Sequence, residues 1–171
     1  HDMGAGGRGA HRAVMTFHHI LSSKKISTLH AWATDLELMG LIKTGYPGLL
    51  LLVDRAHGGA SSVSEYTRRV KRLPWQTCEL RILEPVPDII GDARCGAPAM
   101  LGGLEEVLAG ASGAGRRMSR RSGLVELERV KDIAPVLRKA DAAAMQRAKA
   151  AAEPRPAHGW ELFYSQAMRG G

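Results

Sequence analysis

The chain is 171 residues long, with a formal net charge of +7 and a sequence pI near 9.8. That length suits one domain with a sizeable core, and the charge balance favours an anionic partner. No apolar run approaches the roughly 20 residues that a membrane-spanning helix needs, so no membrane partner is expected. The two cysteines, Cys78 and Cys95, supply neither a disulfide framework nor paired zinc-ligand spacing, which fits an intracellular, nuclear or cytoplasmic, reducing setting.

Residues 1–11 read as a disordered or tag-derived terminus. Gly4, Gly6 and Gly9 formally match a dinucleotide-binding loop, but no strand precedes them, and that motif requires one. Arg12 to Ile20 alternates as a strand, with Val14, Thr16, His18 and Ile20 on one side and Ala13, Met15, Phe17 and His19 on the other. On that pattern His18 and His19 leave opposite faces and cannot share a metal ion.

Ser22 or Ser23 caps a helix predicted to run to about Met39, with Ile26, Leu29, Ala33 and Leu36 as its apolar stripe and Gly40 as its stop. Lys24 and Lys25 sit in its first turn, where the helix dipole disfavours cations. A phosphate bound there would reverse that penalty.

After a Lys43–Gly48 turn comes Leu49-Leu50-Leu51-Leu52-Val53, five apolar residues in a row. Such a run reads as a strand buried on both faces, inside a sheet. Ser62 and Glu65 match a capping box for a second helix striped by Val63, Tyr66, Val70 and Leu73. Arg68, Lys71 and Arg72 fall on its solvated face, and Arg69 is placed to pair with Glu65. Pro74 ends it, and Trp75 to Glu84 forms another strand, with Cys78, Leu80 and Ile82 on one side.

The order strand, helix, strand, strand, helix, strand is the α+β, ferredoxin-like βαββαβ plan: an antiparallel sheet with two helices on one face. Residues 12–86 are the expected core, and the opposite sheet face is open or covered by the C-terminal half of the chain.

Five tokens in order over residues 12–86 carry a resemblance: Phe17-His18-His19-Ile20-Leu21, Lys24-Lys25-Ile26, Trp32 to Gly40, Gly45-Tyr46-Pro47-Gly48, and Arg72-Leu73-Pro74-Trp75. Together they resemble the C-terminal domain shared by the spliceosomal small nuclear ribonucleoprotein Prp-three and by RWD-domain-containing proteins, closer to the RWD-linked branch. The resemblance implies a ferredoxin-like fold and, from the splicing branch, binding to paired small nuclear RNA near a duplex–single-strand junction. From the RWD-linked branch it implies a module attached to an RWD domain.

Residues 87–122 read as a Gly/Pro-rich flexible connection, interrupted by a short helix near Leu104–Leu108. Ser119, among four arginines, is a possible phosphorylation site, and the same basic tract could touch RNA. Residues 123–171 read as a strand-and-helix extension packed on the core, with Ile133, Leu137, Ala140 and Ala144 as the stripe of an alanine-rich helix. Trp160, Phe163 and Tyr164 would pack a final helix or, as an alternative, form a base-stacking platform.

No nucleophile elbow, phosphate loop, metalloprotease motif or paired-cysteine site appears, so no catalytic residue, metal or cofactor is assigned. Three readings remain: an RNA-binding module, a protein-interaction module using an exposed sheet face, and an enzyme with a scattered site. For the first, the candidate RNA-binding residues are Lys24, Lys25, Arg68, Lys71, Arg72 and His19.

Overall fold

The computed structural model describes residues 10–54, 61–86, 99–112, 123–150 and 159–169. The elements in order are β1 (His11–Phe17), α1 (Ser23–Asp35), β2 (Leu38–Lys43), β3 (Gly48–Asp54), α2 (Ser61–Lys71), β4 (Cys78–Pro85), α3 (Ala99–Ser112), β5 (Gly123–Leu127), α4 (Ile133–Ala150) and α5 (Trp160–Arg169). A 3-10 turn, Val130–Asp132, leads into α4. The class is α+β: a five-stranded open sheet in the order β4-β1-β3-β2-β5.

Strand β3, which holds the apolar run Leu49–Val53, is interior and buried at every position, flanked by antiparallel β1 and β2. Its alternation divides the core. Leu50 and Leu52 face a layer with Ala13, Met15, Leu29, Ala33, Val63, Tyr66 and Val70 from β1, α1 and α2. Leu49, Leu51 and Val53 face the other layer, with Leu101, Leu104, Leu137, Ala140, Trp160 and Phe163 from α3, α4 and α5. The sheet therefore carries helices on both faces, and the open face considered from the sequence is covered. No described helix is long and apolar enough to cross a membrane.

Several boundaries differ from the sequence reading. The sheet is mixed rather than purely antiparallel, because β5 joins the edge of β2 in parallel. The first helix stops at Asp35 instead of Met39, since Leu36 closes it and Glu37 takes a positive φ of 57°. Met39 and Gly40 then belong to β2, and Gly40 serves close packing: a Cβ there would lie 1.8 Å from the Leu51 carbonyl oxygen. Leu73 lies outside the core cluster, because the chain turns at Arg72–Leu73.

β4 carries a bulge against β1. Val14 pairs with Ile82 and Met15 with Leu80, leaving Arg81 as the extra residue. One added residue reverses the alternation, so Cys78 and Leu80 pack toward α1 and α2 while Ile82 packs toward the other helices. The re-aimed Arg81 Nε donates to the Ala167 carbonyl, 3.0 Å away, near the C-terminal end of α5.

Ser22 caps α1 as expected, its Oγ accepting from the Lys25 amide at 3.2 Å. The capping box at Ser62 does not form: α2 already includes Ser61, and the Glu65 carboxylate is taken by Arg68 and Arg69, each at 3.1 Å. The connection 87–122 contains a longer helix than expected, α3, with Leu101, Leu104 and Leu108 buried against α4. Gly103 permits that approach, since a Cβ there would meet the Ala140 carbonyl oxygen at 2.5 Å.

Asp54, at the end of β3, is buried and accepts from the His11 amide at 2.9 Å. Burial raises its carboxyl above the ordinary value of 3.8, against amide hydrogen bonds from His11 and Val63 that favour the anion. Between the unfolded and the raised folded value the native state therefore holds more protons than the unfolded chain. This group's contribution is fully present below that window and declines as pH rises through it. Asp54→Asn should remove the decline, which urea unfolding from about pH 4 to about pH 7 would show as a smaller loss of stability with pH. A variant with the wild-type pH profile would mean that Asp54 titrates as an ordinary exposed aspartate.

Candidate nucleic-acid interface

The sheet topology brings three loops to one end. There β1 and β2 finish, β3 and β4 begin, α1 starts and α2 stops. Segments 18–34, 43–53 and 66–78 contain no Asp or Glu, while β5 brings Glu126 and the exposed Glu128 to this end and Glu79 follows Cys78 in β4. The three segments contain Lys24, Lys25, Lys43, Arg68, Arg69, Lys71 and Arg72. Across the end, β5 finishes where the Leu127 carbonyl accepts from the Thr44 amide at 3.1 Å.

Two loops are tied together here. Ile20 and Gly45 exchange backbone hydrogen bonds of 3.0 and 2.9 Å. Gly48 leaves room for Ile20, whose Cγ1 would sit 2.4 Å from a Cβ at that position. Beneath the turn, the buried Lys43 ammonium donates to the Tyr46 carbonyl at 3.1 Å and the Pro47 carbonyl at 2.9 Å. Burial lowers the Lys43 pKa, and the two carbonyls give the charged form hydrogen-bond acceptors. The Tyr46–Pro47 peptide is cis, and the Tyr46 ring stands 62% exposed above it.

His18 and His19 do not point apart. The strand ends at Phe17, so the alternation that separated them no longer applies, and their Nδ1 atoms approach to 3.0 Å. One ring donates and the other accepts. Tyr46 completes the cluster, its ring centroid 5.5 Å from that of His18 and 5.0 Å from that of His19. The geometric objection to a shared metal ion therefore falls. Even so, no group of three or more His, Cys, Asp or Glu suited to a metal lies among the described residues. The neighbouring lysines also oppose a cation.

The six residues expected to bind RNA differ in availability. Lys24, Lys71 and Arg72 are exposed and make no salt bridge among the described residues. His19 is half-buried in the aromatic cluster. Lys25 is engaged: its ammonium donates to the Pro74 carbonyl and lies 4.5 Å from the centroid of the Trp75 ring. That contact ties the start of α1 to the chain leaving α2, bringing the lysines of one helix beside Lys71 and Arg72 of the other. Arg68 is one turn further back and paired with Glu65 at 3.1 Å, so it contributes less free charge.

The aromatic alternative near the C-terminus does not hold, because Trp160 and Phe163 are buried. The Arg12 guanidinium lies 4.0 Å from the Phe163 centroid and 5.1 Å from the Trp160 centroid, and donates to Glu84 at 2.8 Å. Desolvation lowers the Arg12 pKa, opposed by its hydrogen bond to Glu84. Cys78 is half-buried, and desolvation raises its thiol pKa. Ser119 with its arginines, and Cys95, lie outside the described residues.

Sequence reasoning passes over Lys43 and Tyr46. A signal for Tyr46 exists, since a tyrosine between Gly45 and Pro47 has no apolar periodicity to bury it. Lys43 offers none, because its role depends on carbonyls that the turn presents only when folded.

No protein-family model matches the chain, and no curated protein matches it either.

Proposed function

We propose that this protein is a non-enzymatic RNA-binding module that holds the phosphate backbone on the end of its sheet where α1 starts and α2 stops. The observation that carries the reading is the convergence of Lys24, Lys71 and Arg72, all exposed, around the Lys25–Pro74 contact. Side chains of this kind contact phosphates and read little sequence, so an A-form helix would be chosen for its shape.

The resemblance to the Prp-three and RWD-linked C-terminal domain belongs to the same proposal. Its support is the five ordered tokens together with the strand order β4-β1-β3-β2, antiparallel throughout, and the placement of α1 and α2 on one face. That arrangement supports the ferredoxin-like reading of residues 12–86. The competing protein-interaction reading draws on the RWD-linked branch and on an open sheet face; helices cover both faces, which removes the second support and leaves the first.

The test is the salt dependence of RNA affinity. Removing one phosphate-binding side chain should flatten the slope of log affinity against log salt by about 0.7–0.9. The triple variant Lys24→Ala, Lys71→Ala, Arg72→Ala should therefore lower the slope by about two, alike for unrelated RNA sequences. Lys25 is left in place because its contacts also hold the two loops together. An unchanged slope in the triple variant, or no RNA binding by the wild type at low salt, would overturn the proposal.

A further inference from the structure

We infer that Glu128 is an electrostatic guard that keeps the RNA backbone on the α1–α2 side of this end and turns it away from β5. The inference rests on the nucleic-acid reading above and adds the residue that sets where the phosphate track lies.

Hydrogen bonds fix the order of the groups across this end. The Leu127 carbonyl, closing β5, accepts from the Thr44 amide at 3.1 Å, and Glu128 is the next residue. Gly45, beside Thr44, exchanges hydrogen bonds with Ile20. Ile20 leads through Leu21 to the Ser22 cap of α1, and Lys24 and Lys25 follow in the first turn. The Lys25 ammonium then reaches the Pro74 carbonyl, just past Lys71 and Arg72. Glu128 therefore stands at one pole of the end, with Lys71 and Arg72 at the other.

Glu128 differs from the other carboxylates here. Glu79 is paired with Arg81 at 2.8 Å, and Glu126 with His30 at 2.7 Å. Glu128 is exposed and makes no salt bridge among the described residues. Its charge is left to act on whatever approaches, and it repels phosphate.

Distance decides what that repulsion does. The edges β5 and β4 lie four strand spacings apart, about 19 Å. Exposed charges are largely screened beyond about 10 Å at about 0.1 M salt. Lys71 lies near Cys78, the first residue of β4, so it is out of reach of Glu128. The guard thus leaves the phosphate contacts of the α2 end intact and opposes a backbone that crosses the Thr44–Gly45 turn toward β5.

The experiment measures affinity and salt slope for a blunt RNA duplex by anisotropy, using the wild type, Glu128→Gln, Glu128→Lys and Glu37→Lys. Glu37 is the control: it too is exposed and without a salt bridge among the described residues, but it lies at the opposite end, where β2 begins. Glu128→Gln should tighten binding at low salt by about 1.5- to 5-fold, the range for one exposed charge contact, and the gain should fade as salt rises. Glu128→Lys opens the β5 side to one further phosphate and should steepen the slope by about 0.7–0.9. Glu37→Lys, with the same change in net charge, should match the wild type.

Unchanged affinity and slope in both Glu128 variants, or an equal gain in Glu37→Lys, overturns the guard while leaving the phosphate-binding proposal standing. Weaker binding by Glu128→Gln also overturns it, because the carboxylate would then be a contact and not a barrier. Absence of RNA binding by the wild type at low salt defeats both. Thermal melts that match the wild type exclude misfolding as the source of any change.

Discussion

Trp160→Ala should lower the stability of the fold by about 3–5 kcal/mol, the usual cost of truncating a large buried aromatic. Trp160 is fully buried at the start of α5, packed edge-on against Phe163 with centroids 6.0 Å apart. Its ring and that of Phe163 cover the Arg12 guanidinium from β1. The Asp141 carboxylate of α4 accepts from the Trp160 amide at 2.6 Å and the Glu161 amide at 3.1 Å, which docks the N-terminus of α5. Truncation therefore opens a cavity and also bares a buried cation. Denaturant titration followed by circular dichroism would measure the loss; a value below about 1 kcal/mol would mean that α5 is not a working part of the core.

Leu51→Ala should cost about 2–5 kcal/mol. Leu51 lies opposite Val14 of β1 and Leu41 of β2, fully buried, so no exposed side is available for relaxation. Gly40 presses against its carbonyl from the neighbouring strand, which limits how far β3 can settle into the space. A loss below about 1 kcal/mol would show that the site collapses around the smaller side chain.

The features legible in the sequence are those with local signals. The run Leu49–Val53 announces an interior strand because unbroken apolarity leaves no polar face to expose. The stripe Ile133, Leu137, Ala140 and Ala144 is buried along one face of α4, and Ala148 continues it. Ser22 caps α1 through a contact spanning three residues.

The misread features depend on contacts that are not local. Gly40 reads as a helix stop, yet its reason is a carbonyl eleven positions away in sequence, at Leu51. The β4 bulge moves Ile82 to the opposite face, and no alternating pattern reveals an inserted residue.

The candidate site divides in the same way. Lys24, Lys71 and Arg72 are visible in the sequence as charges on solvated faces. Two helices on one sheet face already predict that these charges neighbour one another; the Lys25 contact with Pro74 and Trp75, which ties the two helix ends, is not visible in the sequence. The His18–His19–Tyr46 cluster is hidden when β1 is extended past Phe17 to Ile20, which sends the two imidazoles to opposite sides.

Amide chemical-shift mapping tests the central claim most directly: an RNA duplex with a short unpaired tail is added to the isotopically labelled protein at low salt. The largest changes should fall on residues 18–25, 44–48 and 71–77, with residues around His11 and Asp54 at the opposite end of the sheet unmoved. Changes centred on α4 and α5, or spectra that RNA leaves unaltered, would contradict RNA binding at the end where α1 starts and α2 stops.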